Sequence, residues 1–369
     1  MHRGLFSRNQ MLKYKFLIIS IFLFSIGCSD QTKSTKFHKK FKNEDISETI
    51  NLKGNKHIFE QIISPIFIMK KGDNLIIGES RRISPENPLI HIVNIKSKQY
   101  KQSKGVVGFG PGETPDILNL TSGLSENSFW VVSGMSKTFY EFNLEDTTLL
   151  ASNQIKQGED LYMAGLMQWS SDSTIICRMV NDPHQFVEFN ISGNRIKNFG
   201  DWDNYQLGKD LNDYMMCDLH MGQFDGDASS GFFAAAGFYR DRIELLNRNK
   251  GTIVTIDGPT LSPPQFDIVS GNNGASSSIV VDYNEPLSYL DVAIDNNLIY
   301  GLYCGRNEKE INKKGEYGNR IFVFDVAGNI LREYKLDISI RNITIDSEGD
   351  RILGVTTDKN PGIAEFPLP

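Results

Sequence analysis

Short apolar runs alternate with compact polar turns along most of this chain, and one arrangement returns five times. An apolar strand ends in Asn or Asp, a turn follows, and a second strand leaves it. The five copies are IHIVNIKSKQY around Asn94, TFYEFNLEDTTLL around Asn143, QFVEFNISGNRI around Asn190, RIELLNRNKGTIV around Asn247 and RIFVFDVAGNIL around Asp325. VEFNISGN (187–194) and FVFDVAGN (322–329) correspond almost residue for residue. Asn and Asp side chains close such turns by accepting backbone N–H groups, and Gly193, Gly251 and Gly328 tolerate the positive φ of a reversal. The flanking runs are apolar or alternate with period two, which predicts strands buried on one or both faces. Each marker therefore predicts the hairpin joining the last two strands of a four-stranded sheet.

A second hairpin precedes most markers, as in PIFIMKKGDNLIIGES, LMQWSSDSTIICRMV and DVAIDNNLIYGLYCG, and RNITIDSEGDRILGVT follows the last one. The markers lie 49, 47, 57 and 78 residues apart, against about 40–50 residues for one propeller blade. The stretches 259–286 and 306–319 account for the excess and are expected as long loops. The final unit stops at IAEFPLP, one strand short, and Ser47–Gly54 (SETINLKG) is expected to supply the missing strand. Closure of that kind removes an exposed sheet edge. The predicted fold is all-β: a six-bladed β-propeller of four-stranded blades, its N-terminal strand closing the last blade. A pair of β-sandwiches is the alternative, and a β-helix would need much shorter repeats.

Composition adds limits. The 369 residues suit one large all-β domain or two medium ones. A net charge of −6 argues against a general nucleic-acid binder, which would present a basic surface. The first residues read as an export signal: Lys13 and Lys15 precede the apolar run Phe16–Gly27. That run is shorter than the roughly 20 residues needed to span a bilayer. Ser25-Ile26-Gly27-Cys28 resembles a bacterial lipobox, with Ser25 where Leu is commonest, and Met11 would make a compact start. The alternative is an uncleaved signal anchor. The division expected is a signal peptide over 1–28, a flexible tether over 29–46 and the propeller over 47–369. Lipid on Cys28 would anchor the protein to the outer membrane, facing the periplasm or the cell surface. Cys177, Cys217 and Cys304 lack metal-ligand spacing and are expected as buried small apolar residues, although one disulfide could form outside the cytoplasm.

GFGPGE (108–113) poses the question of a phosphate cradle. A Walker loop needs Gly-Lys-Ser/Thr and a following helix, and a dinucleotide loop needs a small sixth residue; Glu113 and Pro115 meet neither demand. Gly108, Gly110, Pro111, Gly112 and Glu113 are expected instead to form a structural crossover between blades. GFGPGE after the first outer strand resembles the G-x-G-P-G-E signature of TolB-like six-bladed propeller lipoproteins, and IYGLYCGR (299–306) is similar to a second segment of that group. The resemblance covers about 47–369. It implies a propeller fold and an envelope address, and it transfers no catalytic residue.

Propellers bind ligands where inner-strand ends and loops converge on the channel mouth. The polar residues expected there are Arg178, His184, Asp218, His220, Asp291 and Asp295, with the segment CDLHMGQFDGD (217–227) singled out. Lactonase-like six-bladed enzymes hold calcium at such a mouth, so a calcium-dependent hydrolase or lyase is the alternative function and calcium the alternative cofactor. No residue is assigned to a metal. DGDASSG (225–231) lacks the sixth-position Gly and twelfth-position carboxylate of a calcium loop and is expected as a hairpin turn. Neither G-x-S-x-G nor H-E-x-x-H occurs. Trp130, Trp169 and Trp202 are expected in the core or the channel wall. The function expected is non-catalytic binding or scaffolding of a protein, peptide or glycan, without cofactor or nucleic acid.

Overall fold

The structure, a computed structural model, describes residues 34–202, 211–271 and 276–369; the signal segment and Cys28 lie outside them. Three short strands open the described chain: β1 (Thr35–Lys40), β2 (Thr49–Leu52) and β3 (Asn55–His57). Four antiparallel sets follow in which spatial order equals chain order. They are β4 (Pro65–Lys71), β5 (Asn74–Glu79), β6 (Ile90–Asn94) and β7 (Gln99–Lys104); then β8 (Asn119–Thr121), β9 (Ser128–Ser133), β10 (Thr138–Asn143) and β11 (Asn153–Lys156). Next come β12 (Ala164–Trp169), β13 (Thr174–Met179), β14 (His184–Asn190) and β15 (Arg195–Asp201), then β16 (Gly222–Asp227), β17 (Phe232–Gly237), β18 (Arg242–Asn247) and β19 (Thr252–Asp257). A separate hairpin, β20 (Phe266–Gly271) and β21 (Ser276–Val281), precedes β22 (Leu287–Asp295), β23 (Leu298–Arg306), β24 (Gly318–Asp325), β25 (Ile330–Asp346), β26 (Arg351–Thr356) and β27 (Ile363–Pro367). These last six strands form one sheet with β3 beside β27 and β2 beside β25.

The first strand of each set touches the first of the next: β4 meets β8, β8 meets β12, β12 meets β16, β16 meets β22, β22 meets β25, and β25 meets β4. Sheets arranged radially about such a closed ring are a β-propeller. The five marker turns occur where the repeat predicts them. Asn94 Oδ1 accepts from the backbone N–H of Ser97 at 2.8 Å, Asn143 from Glu145 at 2.7 Å, Asn190 from Asn194 at 2.9 Å, Asn247 from Lys250 at 3.0 Å, and Asp325 from Ala327 at 2.9 Å. The core lies between neighbouring sheets, so middle strands are apolar on both faces. Phe129, Val131 and Phe142 of the second set pack with Ile76, Ile90 and Ile92 of the first, and Ile176 and Phe186 pack with Phe224, Phe233 and Leu246.

Three expectations change. The strand completing the last set is β3, with His57 opposite Ile363 and Asn55 opposite Glu365. Residues 49–52, expected in that place, run parallel to β25 instead, from Thr49 opposite Glu333 to Leu52 opposite Leu336. Gly54 makes the crossing: its N–H donates to Asp337 Oδ1 at 2.8 Å, and a Cβ there would lie 2.6 Å from Phe366 Cε1. Residues 35–40, expected within the flexible tether, form β1 parallel to β19. TKFHKK is exposed along its length, so it carries no burial periodicity; backbone pairing on an outer edge needs none. Phe41 then turns inward and packs edge-on against Phe322 and Phe324, at 5.3 Å from each.

The two long loops also contain structure, the β20–β21 hairpin within 259–286 and a helix within 306–319, and another helix precedes β16. Helix α1 (Asp213–Leu219), N-capped by Asn212, packs Met215 and Leu219 against Phe266 and Ile279 of the β20–β21 hairpin. Helix α2 (Glu308–Lys314) carries a capping box between Asn307 and Glu310 and ends at Gly315 with φ 71°. Seven-residue helices are too short to display a 3.6-residue period, although their caps are visible in the sequence. The three cysteines are buried, as expected, and free.

Candidate functional site

The inner strands run in one direction along the channel, so their C-terminal residues gather at one end. There they line a cavity of about 570 Å³. β4 contributes Lys70, β8 contributes Asn119 and Thr121, and β12 contributes Gln168 and Trp169. β16 contributes Gln223, Asp225 and Asp227, β22 contributes Asp291 and Asp295, and β25 contributes Asn342 and Thr344. Alternation along β16 puts Asp225 and Asp227 on one face, while Gly226 lies against Phe233, which would sit 2.2 Å from a Cβ there.

Backbone donors hold the deepest carboxylates. Asp291 Oδ2 accepts from Asn342 Nδ2 at 2.5 Å and from the N–H of Ile343 at 2.7 Å. Asp225 Oδ2 accepts from the N–H of Ile294 at 2.8 Å. Asn342 Oδ1 in turn accepts from the N–H of Ile68 at 2.7 Å, which ties β22, β25 and β4 together. Burial raises the Asp291 carboxyl well above the usual range and raises Asp225 to about 6, the neighbouring acids adding to both shifts. Asp295 is also raised by burial. For Asp227 burial acts upward, but hydrogen bonds from Ser229 and Ser230 outweigh it and its pKa falls. Those same bonds make 225–231 the expected hairpin turn between β16 and β17.

A smaller cavity of about 190 Å³ lies at the N-terminal ends of β12 and β16, under α1. Arg178, Asp218 and His220 line it with Trp202, Cys217 and Met179. Beside it Arg178 Nη1 donates to the buried Glu244 Oε2 at 2.7 Å, and Gln185 Nε2 donates to Glu244 Oε1 at 2.7 Å. Trp202 stacks on His220 with centroids 4.5 Å apart, and the Arg178 guanidinium lies 4.9 Å from the Trp202 ring centre. Burial lowers His220 to about 3, with Arg240 adding to the shift. The neutral ring uses both nitrogens: Nδ1 lies 2.8 Å from the Met216 carbonyl, and Nε2 lies 2.5 Å from Arg240 Nη1.

The six expected site residues therefore separate. Asp291 and Asp295 line the channel cavity; Arg178, Asp218 and His220 line the smaller one. His184 lines neither, and its Nδ1 lies 2.9 Å from Asp201 Oδ1. Trp130 and Trp169 are buried with rings 5.0 Å apart, while Trp202 belongs to the smaller cavity. Among the described residues no three His, Cys, Asp or Glu side chains converge as ligands for a metal ion.

GFGPGE joins β7 to β8. The Gly110 N–H donates to Glu113 Oε2 at 2.8 Å, so the loop's own carboxylate occupies the concavity an anion would need. The Ala151 N–H donates to the Gly112 carbonyl at 2.9 Å, fastening the loop to the next sheet. Gly112, at φ 78°, makes the turn. The sequence model of the TolB-like 6-blade propeller-like family matches residues 39–348. The chain belongs to this family. No curated protein matches the sequence.

Among solved structures, this TolB-like propeller is similar to a protein of Bacteroides fragilis NCTC 9343 described as exported. The two share 13% identity and a TM-score of 0.54, over 90% of this chain and 99% of the other. It is also similar to a DUF4221 family member from Bacteroides vulgatus ATCC 8482, at 12% identity and a TM-score of 0.52, over 85% and 97%. At such identities the likeness is one of fold. The sequence reading did not single out Asn119, Gln168 or Asn342 of the TolB-like channel, nor Glu244. Asp225 and Asp227 fell inside the segment it marked, and their i, i+2 spacing at a strand end was the available signal.

Proposed function

We propose that this protein is an exported lipoprotein, held to the outer membrane by lipid on Cys28, whose six-bladed propeller binds a polar ligand without chemistry of its own. Six blades follow if the large sheet counts as two. Residues 330–335 of β25 pair with β24 and residues 340–346 with β26, so one strand ends the fifth blade and begins the sixth. The family description and the ring of inner strands favour that count. The envelope address rests on the N-terminal pattern ending at Cys28 and agrees with the exported description of the Bacteroides fragilis relative.

The observation that carries the binding function is the cavity at the C-terminal ends of the inner strands. Its volume falls in the range of small-ligand sites, and its polar side chains come from every part of the ring. Asp225 and Asp291 accept backbone N–H groups, which suits a rigid binding wall. A peptide or glycan end is the class of ligand that fits such a wall. The test is a thermal-shift and calorimetric screen of short peptides and oligosaccharides against the wild type and Ala228→Trp, which would fill the cavity mouth. Ligands that bind the wild type and lose at least tenfold in affinity for the variant support the assignment. Ligands that bind both equally would move the site elsewhere.

A further inference from the structure

We propose that β1 and the residues flanking it form a second membrane contact, a basic strip with one aromatic side chain that lies on anionic phospholipid headgroups beside the lipid anchor. This rests on Cys28 carrying lipid and adds a surface to that reading. Two observations carry it: the charge and exposure of the strand, and the length of chain that joins it to Cys28.

The chain as a whole is acidic, with a net charge of −6, yet residues 31–43 contain Lys33, Lys36, Lys39, Lys40, Lys42 and His38 and neither Asp nor Glu. Lys33 lies outside the described residues; the others fall on or beside β1, which is exposed at every position. β1 is the end strand of its sheet, so its outer edge faces away from the propeller. Lys39 Nζ donates to the neutral Asn329 Oδ1 at 3.1 Å, and neither Lys39 nor Lys40 forms an ion pair among the described residues. Lys42 lies 3.9 Å from the exposed Glu44, a pairing that water and salt screen. Lysines on an edge strand also guard against the addition of another strand, but that role needs no aromatic residue. Phe37 stands between Lys36 and His38 and is 52% exposed. An exposed ring among lysines is the composition of a segment that lies in a membrane interface.

The tether is short. Thr35 follows Cys28 by seven residues, a reach of at most about 25 Å. Lipid on Cys28 would hold β1 within that distance of the headgroups, whatever path the intervening residues take. An anionic surface attracts basic residues over about one Debye length, roughly 8 Å, and each lysine that reaches it strengthens attachment by about fivefold. The tether thus lowers the cost of approach, as in any linked pair of contacts, and the lysines supply the attraction. Without the strip an acidic protein would be repelled by the same surface. Because β1 lies beyond β19 on the outer rim, this contact sets the rim of the ring toward the membrane and leaves both cavities opening to the side.

The experiment uses the chain from Ser29, which keeps every described residue and carries neither signal nor lipid. It is sedimented with vesicles of phosphatidylcholine alone and of an equal mixture with phosphatidylglycerol. The expected result is binding to the anionic vesicles at least tenfold tighter than to the neutral ones, and lost at high salt. Lys39→Glu combined with Lys40→Glu should weaken that binding at least tenfold with little change in melting temperature, since neither lysine holds an ion pair. Phe37→Ser should weaken it roughly fivefold through the apolar area lost; an unchanged affinity would remove the ring from the contact. Equal binding to the two vesicles, or undiminished binding by the double variant, would overturn the proposal. Binding to neither would overturn it as well and leave the lysines as guards of an open edge. Polyglutamate bound as tightly as the anionic vesicles would replace the membrane with an acidic protein partner. None of these outcomes depends on acylation, because this chain has none, and detergent partitioning of Cys28→Ser judges the anchor separately.

Discussion

A Cβ placed on Gly108 would lie 2.0 Å from Oε2 of Glu113. The glycine is absent of side chain because the glutamate folds back over it to accept the Gly110 N–H. Gly108→Ala should therefore displace the carboxylate and destabilise the protein by about 1–3 kcal/mol. Glu113→Gln, which keeps an acceptor oxygen, should cost less. Urea unfolding of the two variants checks the order, and nucleotide titration should leave the wild type unchanged.

Arg178 and Glu244 join the third and fourth sheets inside the protein. Glu244→Gln leaves a guanidinium poorly matched, and removal of one member of a buried pair costs about 3–5 kcal/mol. Burial pushes the Glu244 carboxyl up, but Arg178 and its neighbours outweigh this and hold it near about 2. A depressed carboxyl stabilises the fold above its ordinary pKa and loses that contribution as pH falls toward 2. His220, lowered to about 3, acts in the same direction, because the unfolded chain takes up its proton first. The contribution of these two groups should fall as pH drops below 6.5, against the opposite contribution of the raised channel carboxyls, and Glu244→Gln should remove the part of the slope that Glu244 supplies below about 4.5. Denaturant midpoints from pH 3 to 7 measure both.

Asp225 acts with the opposite sign. Its carboxyl titrates at about 6 in the folded protein, above the ordinary 3.8, so the folded state holds the proton more tightly than the unfolded one. Its contribution falls as pH rises from 3.8 to 6 and is constant above. The two-unit shift, reduced for partial exposure, corresponds to a loss on the order of 2–3 kcal/mol. Asp225→Asn should gain on the wild type across that window, as measured by melting at pH 4, 5, 6 and 7.

Gly54→Val should strain the ring's closure. The added carbons meet Phe366 and Ile338 at the crossing from β2 to β3, and overpacking of this kind costs about 1–3 kcal/mol. Faster proteolysis near residues 49–57, together with a lower melting temperature, is the expected result.

Cys28→Ser should release the protein from membranes if Cys28 carries the lipid. Detergent-phase partitioning of the variant is the measurement; retention in the detergent phase would contradict lipid anchoring.

The repeat of Asn and Asp turns was legible because it is local: each marker side chain bonds a backbone N–H two to four residues away. Apolar runs such as FWVV (129–132) announced strands buried on both faces, and GFGPGE announced its crossover through residues it lacks for phosphate binding. Those features carried the sequence to a propeller. Tertiary structure alone decided which N-terminal strand closes the ring, because 49–52 and 55–57 are both short and Gly54 sends them to different edges. It also decided that Arg178 and Asp291, alike as polar residues within strands, belong to opposite ends of the inner strands. The channel site depends on carboxylates and amides brought together from residues 119 to 342. Convergence over such separations is set by the ring's closure, and no local pattern of residues records it.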